Sequence, residues 1–211
     1  HLRRVQLHWS TARYAPWQEV QLLDGLADRV LDGSISEIGV SNIGPKRLAW
    51  MQQRLVERGV PLRSVQVQYS LLSPGDAKVD ALRQLCRERG IEVLAYSPLA
   101  FGVLTMPPEG ERRPRTVLQR QLLARLQPAS RSLRAVVATI AGQRSVSMAQ
   151  VALNWCRAQG TTPIPGLRTP DQARDVAGAL QWSLTSAELD QLTMARQQCT
   201  VRTPSNPFQS A

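Results

Sequence analysis

Cysteine, lysine and histidine are scarce in this 211-residue chain, and the first shortage already excludes some classes of protein. The cysteines are Cys86, Cys156 and Cys199, which lie far apart and form no CxxC pair. We therefore expect neither a disulfide framework nor a zinc or other metal site, and a reducing compartment fits this cysteine usage. Cys86 and Cys156 fall on apolar positions of helical patterns, which predicts that both are buried.

Long apolar runs are also missing, since no stretch approaches the roughly 18 residues of a membrane span. The first residue is His1, and no charged, apolar and cleavage-site pattern follows it. We therefore expect no signal peptide and no membrane partner.

The shortage of lysine leaves arginine to supply nearly all of the positive charge, because Lys46 and Lys78 are the two lysines in a chain of net charge +10. The planar guanidinium suits phosphate, so nucleic acid and an anionic cofactor both have to be considered. The arginines are scattered apart from a cluster at 111–115, and no long basic run is interleaved with aromatic residues. This pattern argues against a dedicated nucleic-acid surface, and arginine on solvated helix faces is the simpler interpretation.

Strand and helix patterns alternate along the chain. Period-two and apolar runs predict strands at 5–9, 35–41, 64–72, 91–97 and 161–166. Apolar faces at helical spacing predict helices at 17–32, 45–59, 76–89, 117–142 with a break near Pro128, 147–158, 170–179 and 186–197. The segments 147–150, 169–172 and 185–188 each match a capping box. Residues 103–117, rich in proline, glycine and charge, predict a long loop.

This order predicts an α/β fold of βαβ units with a parallel sheet in a single domain spanning 1–211. A doubly wound sheet and a (β/α)₈ TIM barrel share the pattern. Polar residues at or near the ends of several strands favour the barrel, because a doubly wound sheet needs them at one crevice only. Taken singly, each of these residues has an ordinary structural explanation: His8 as a satisfied histidine, Asn42 near a helix cap, Gln68 as a buried interstrand amide, Tyr96 as a packing residue.

Several longer motifs resemble those of the aldo-keto reductase family, the NADPH-dependent carbonyl reductases built on a (β/α)₈ barrel. The matching segments are LHWS with His8, IGVSN at 38–42, VQVQYSLL at 65–72, GIEVLAYSPLAFGVLT at 90–105, ALNW at 152–155 and PIPGLRTPDQA at 163–173. They follow the family's order and spacing from the first residues almost to the last. The NPFQSA tail is similar to the cyanobacterial and plastid-type branch.

The resemblance implies a role for each matched position. His8 corresponds to the catalytic histidine that orients and polarises the substrate carbonyl. The cofactor positions are Ser41, Asn42 and Gln68 at the nicotinamide carboxamide, Tyr96 stacked on the nicotinamide, Ser97, Leu99, Gly102 and Leu104 around the pyrophosphate, and Gly166, Arg168 and Gln172 at the adenosine end. Arg168 would lie beside the 2′-phosphate of NADP(H). Val176 departs from the family, which commonly has an asparagine there that touches the adenine.

The same resemblance implies that the first three βα units are missing. The family's Asp, Tyr and Lys lie upstream of the histidine, and only seven residues precede His8 here. Tyr14, Tyr69, Tyr96 and both lysines come later and cannot take those roles. We therefore expect an incomplete barrel made of strands 4–8, inactive by itself and prone to self-association.

Three functions follow as alternatives. The first is an NADP(H)-dependent oxidoreductase that reduces aldehydes and ketones, whose parent is a monomer or weak oligomer with a small carbonyl substrate. The second is a non-catalytic NADPH-binding regulatory module of the same superfamily. The third, a basic nucleic-acid-binding protein, has little support. We expect a cytoplasmic location, with the plastid stroma as the alternative.

Overall fold

The computed structural model describes residues 1–12, 14–74, 77–111, 113–114 and 116–204. The strands are β1 Leu2–Leu7, β2 Ile35–Ser41, β3 Leu62–Gln68, β4 Glu92–Tyr96 and β5 Thr162–Ile164. The α-helices are α1 Pro16–Leu31, α2 Pro45–Glu57, α3 Ala77–Arg89, α4 Val117–Ala129, α5 Arg131–Gln143, α6 Met148–Ala158, α7 Pro170–Gly178 and α8 Ser186–Gln198. Two 3₁₀ helices span Ala100–Thr105 and Ala179–Gln181.

The strands form one sheet in chain order, β1-β2-β3-β4-β5. β1 pairs in parallel with β2 and β2 with β3; Val5 lies opposite Ile38 and Gly39 lies opposite Ser64. A register irregularity falls between Ile38 and Gly39. Helices α1, α2 and α3 connect successive strands, as parallel pairing requires. Five strands are too few to close an eight-stranded barrel, which agrees with the predicted incomplete (β/α)₈ fold.

The described residues divide into two compact units. Unit 1 comprises 1–68 and 77–94, and unit 2 comprises 69–74 and 95–204. The core of unit 1 includes the fully buried side chains of Leu23, Ile38, Leu48, Met51, Val65 and Leu82. The core of unit 2 includes Leu71, Leu104, Leu126, Leu133, Val137, Ala152 and Leu192, equally buried. Cys86 in unit 1 and Cys156 in unit 2 are fully buried, as the sequence predicted.

The predicted helices are confirmed to within one or two residues at most ends. The long helical stretch is broken at Ser130, so that Pro128 lies in the last turn of α4 and α5 begins at Arg131. The strand predicted at 64–72 spans Leu62–Gln68 instead, and the first strand was also placed wrongly, because β1 begins at Leu2 and ends at Leu7. His8 therefore follows the strand directly and does not belong to it.

One of the three predicted capping boxes is complete. At the start of α8, the Thr185 hydroxyl accepts the backbone N–H of Glu188, and the Glu188 carboxylate accepts the backbone N–H of Thr185. At α6, Ser147 accepts the Gln150 N–H, but the Gln150 amide binds Asp175 and Trp182 and does not reach back. At α7, Gln172 reaches one residue further back than a capping box requires, to the Arg168 N–H. In the part of the chain that the structure describes, no helix is long and apolar enough to cross a membrane.

Candidate active site

His8 lies at the carboxyl end of β1, where a parallel strand of a barrel delivers its functional side chains. It is exposed, and its ring contacts the Trp9 ring at a centroid distance of 4.4 Å and an angle of 36°. Its backbone carbonyl accepts a hydrogen bond of 3.1 Å from Nδ2 of Asn42. The end of β1 is thus tied to the turn that follows β2.

Ser41 and Asn42 form that turn, and both are almost fully buried. Asn42 has a φ of 59°, a left-handed conformation that asparagine tolerates better than most residues. Its Nδ2 also donates to Ser41 Oγ, and the Ser41 hydroxyl donates to the carbonyl of Gln66. The backbone N–H of Asn42 donates to the same carbonyl at 2.8 Å. Strain and polar bonds concentrate here, which is typical of a functional turn.

A polar network that the sequence analysis missed lies across β1 and β3. Gln66 donates to Gln6, and Gln6 donates to Ser64, each at 3.0 Å. A Cβ at Gly39 would lie 2.4 Å from Ser64 Oγ and 2.8 Å from two side-chain atoms of Gln6. The glycine is therefore needed so that this network can cross β2. The sequence did indicate such a network, because Gln66 and Gln68 lie two residues apart on one strand. Only Gln68, the half-buried last residue of β3, was predicted to belong to the site.

A cavity of about 590 Å³ opens within unit 2, a size typical of small-molecule sites. We call it the Arg168 cavity. Its lining includes Ser97, Leu99, Gly102, Thr105, Gln119, Gly166, Arg168, Gln172 and Val176. Six of the residues that the resemblance assigned to the pyrophosphate and the adenosine end thus surround one space. Leu104 is fully buried and does not line it, and neither does the half-buried Tyr96 at the end of β4.

The backbone on one side of the Arg168 cavity is strained. Ser97, Ala100 and Phe101 have φ values of 52°, 47° and 58°, and Gly102 has a φ of 83°. Left-handed conformations cost non-glycine residues on the order of 1–3 kcal/mol each and cluster at ligand sites. Turns that contain them present backbone N–H groups that favour anions.

The other side of the cavity is the start of α7. Thr169 caps the helix by accepting the Gln172 N–H at 3.2 Å, and Oε1 of Gln172 accepts the Arg168 N–H at 2.8 Å. Arg168 is exposed, and among the described residues its guanidinium makes no hydrogen bond or ion pair. Asp171 in the first turn is engaged by Arg174 at 2.5 Å. A free guanidinium beside a helix N-terminus is a favourable setting for a phosphate.

The predicted site residues therefore fall into two groups. His8, Ser41, Asn42 and Gln68 belong to unit 1, where Asn42 links the first two. The other predicted residues belong to unit 2, where most of them line the Arg168 cavity. No group of three or more potential metal ligands occurs among the residues that the structure describes.

The chain is similar to known proteins along most of its length. The family model described as the aldo/keto reductase family matches residues 2–197. The chain belongs to the aldo/keto reductase family. It is 43% identical over 208 residues to the chloroplastic pyridoxal reductase of Arabidopsis thaliana, covering 97% of this chain and 56% of that protein. It is 27% identical to the versiconal hemiacetal acetate reductase of Aspergillus parasiticus, covering 89% of this chain and 55% of that protein.

Solved aldo-keto reductases share the fold. The Bacillus halodurans enzyme in its holo form matches with a TM-score of 0.63 at 21% identity, covering 92% of this chain and 60% of that one. A thermostable aldo-keto reductase matches with a TM-score of 0.67 at 20% identity, covering 92% of this chain and 59% of that one. The chain thus spans little more than half the length of the curated relatives it matches.

Proposed function

We propose that this chain supplies the NADP(H)-binding part and the catalytic histidine of a reductase that converts aldehydes or ketones to alcohols. The observation that carries the proposal is the Arg168 cavity, in which a guanidinium without a partner among the described residues, a helix N-terminus and a strained turn face one space. All three favour an anionic ligand, and a cofactor with several phosphates matches them.

The residues of unit 2 fit the phosphate-bearing end of the cofactor. Gly102 and Gly166 line the cavity without side chains, which leaves room for a ligand to approach the backbone. Arg168 is proposed to hold the 2′-phosphate, and Gln172 keeps its amide N–H groups available beside it because its Oε1 is already engaged. Val176 lines the same cavity and offers the adenine only an apolar contact.

The residues of unit 1 are proposed to serve the reacting end. The bound cofactor would supply the hydride. The exposed ring of His8 can donate a hydrogen bond to a carbonyl oxygen and hold it in place. Ser41, Asn42 and Gln68 supply amide and hydroxyl groups suited to a carboxamide. Tyr96, which belongs to unit 2, supplies an aromatic face suited to a flat ring.

We further propose that this chain by itself does not complete the reaction. The family's acid tyrosine, with its lysine and aspartate, has no counterpart in the matched motifs. With NADPH and pyridoxal, the substrate named for the Arabidopsis relative, we expect no consumption of NADPH above background at 340 nm. Turnover by the chain alone would contradict this point, whereas turnover by a longer reading frame that encodes the three residues would favour the enzyme over a regulatory module.

Cofactor preference tests the site directly. Arg168→Ala should weaken NADPH binding by roughly tenfold or more and leave NADH binding nearly unchanged, because a charge-assisted hydrogen bond contributes about 1.5–3 kcal/mol. Arg174→Ala is the matched control, since Arg174 is an exposed arginine on α7, the helix that begins just after Arg168, and it pairs with Asp171. Titrations followed by the fluorescence of the reduced cofactor measure the affinity of both variants for NADPH and for NADH. Equal losses for the two cofactors would place the 2′-phosphate elsewhere.

A further inference from the structure

A buried carboxylate accepts hydrogen bonds from the turn that follows His8. Glu19, in the first turn of α1, is fully buried. Its Oε1 accepts hydrogen bonds from the Ser10 hydroxyl and, at 3.1 Å, from the Thr11 N–H. Ser10 and Thr11 are the second and third residues after His8, and both are almost fully buried.

The other carboxylate oxygen is held from the next βα unit. Oε2 of Glu19 accepts from both Nε and Nη2 of Arg47, which lies in the first turn of α2. The Arg47 guanidinium also stacks on Trp50 at 3.8 Å from the ring centroid. A carboxylate removed from water needs such donors, and here four of them come from the loop after β1 and from α2.

Helix capping does not explain the arrangement. Ala15 occupies the N-cap of α1 and forms no side-chain cap bond, and the Glu19 carboxylate turns back toward the loop. The turn closes on itself as well, since Thr11 Oγ1 donates to the Ala15 carbonyl at 2.9 Å and the Ala15 N–H donates to the Thr11 carbonyl at 2.7 Å. The buried ion pair between Glu19 and Arg47 is therefore directed at the residues adjoining His8.

Two independent ties thus join the His8 loop to the Asn42 turn. Asn42 holds the carbonyl of His8, and Arg47, five residues further on, holds the loop through Glu19. We propose that Ser10, Glu19 and Arg47 form a positioning clamp that fixes the placement of the His8 ring relative to Asn42. The inference rests on the proposed function, because it gives His8 its role at the carbonyl. In that setting, Glu19 is a positioning residue whose loss would misplace a catalytic group without touching substrate or cofactor.

The scarcity of histidine provides the readout. The chain contains two histidines, so a ¹H–¹³C spectrum of the imidazole groups shows two sets of signals. His1 serves as the internal reference, because its ring binds Gly33 and Ser36 at the opposite end of β1. We expect Glu19→Gln and Ser10→Ala to move the His8 signals by more than their line width and to leave those of His1 in place.

The matched control is Asp24→Asn. Asp24 also lies on α1 and pairs with Arg54 of α2 and with Arg58 directly after it, so its loss breaks a bridge between the same two helices without reaching the loop. The His8 signals should not move in this variant. A shift as large as that in Glu19→Gln would mean that any loosening of α1 against α2 disturbs His8, and this would overturn the clamp.

Ser10→Ala decides the matter if Glu19→Gln does not fold, since it removes one hydroxyl and keeps the ion pair. Unmoved His8 signals in folded Ser10→Ala, or in a folded Glu19→Gln, would overturn the clamp. NADPH affinity should equal that of the wild type in Ser10→Ala, because the clamp does not line the Arg168 cavity. A wild-type chain that fails to bind NADPH would instead overturn the proposed function, so the two failures are distinguishable.

Discussion

Adding a methyl group at Gly39 should disrupt the hydrogen-bond network that Gln6, Ser64 and Gln66 form beside the site. A Cβ there would lie 2.4 Å from Ser64 Oγ, and Ser64 is fully buried. The same Cβ would displace Gln6, whose bonds to Ser64 and Gln66 would be lost. Overpacking costs about 1–3 kcal/mol, and each lost hydrogen bond costs about 0.5–1.5 kcal/mol.

A smaller opposing effect comes from the unfolded chain. Replacing glycine by alanine removes backbone freedom from the unfolded state and stabilises the protein by about 0.4–1 kcal/mol. We therefore expect Gly39→Ala to lower the free energy of unfolding by about 1–5 kcal/mol. Gly25→Ala is the matched control, because Gly25 lies within α1 and a Cβ there meets nothing within 4 Å. This variant should be stabilised by about 0.5–1 kcal/mol.

Urea unfolding followed by circular dichroism measures the free energy of unfolding of both variants. The double variant Gly39→Ala/Ser64→Ala should recover part of the loss, since it removes the oxygen nearest to the new Cβ. A Gly39→Ala protein as stable as Gly25→Ala would refute the close approach of Gln6, Gly39 and Ser64 on which this reasoning depends.

Three further predictions concern ionisable groups. The hydrogen bond from Arg144 lowers the pKa of Glu188 to about 2 from 4.5, so this pair stabilises the fold above pH 4.5 and the contribution is lost as the pH falls toward 2. Glu188→Gln should remove about 1–2 kcal/mol at pH 6 and much less near pH 2 in urea unfolding, and an equal loss at both pH values would contradict this. Burial raises the pKa of the Cys86 thiol to about 12, so Ellman's reagent at pH 8 should label it only after unfolding; rapid labelling of the native chain would be the contrary result. Arg134 is buried and donates hydrogen bonds to three backbone carbonyls. Arg134→Met should therefore lower the free energy of unfolding by about 1–3 kcal/mol and speed proteolysis at 107–110. Unchanged cleavage would show that Arg134 does not hold this turn.

Local patterns were sufficient for most of the fold. Apolar spacing of 3.6 and flanking glycine or proline located α1, α2 and α3, because tertiary contacts there reinforce what the local sequence prefers. β1 was misplaced since Arg3 and Arg4 look unlike a strand. The structure pairs Arg4 with Glu37 and Glu92 at 2.7 and 2.8 Å, partners that lie on β2 and β4 and that no local pattern reveals.

The candidate site was predictable to the extent that it follows motifs. Gly166, Arg168 and Gln172 line one cavity because they belong to one turn and one helix start, and sequence neighbours of this kind keep their geometry. Glu19 and Arg47 escaped notice because they lie 28 residues apart on two different helices. The importance of this pair depends on the complete burial of Glu19, which a single sequence does not disclose.

The most direct test of the cofactor site is a map of where adenosine 2′,5′-bisphosphate binds. Backbone amide spectra of the ¹⁵N-labelled chain should change on titration at Gly102, Gly166, Arg168 and Gln172, which surround the Arg168 cavity. The same spectra should change far less with adenosine 5′-monophosphate, which lacks the 2′-phosphate. Changes centred outside this cavity, or equal responses to the two nucleotides, would contradict the assignment of Arg168.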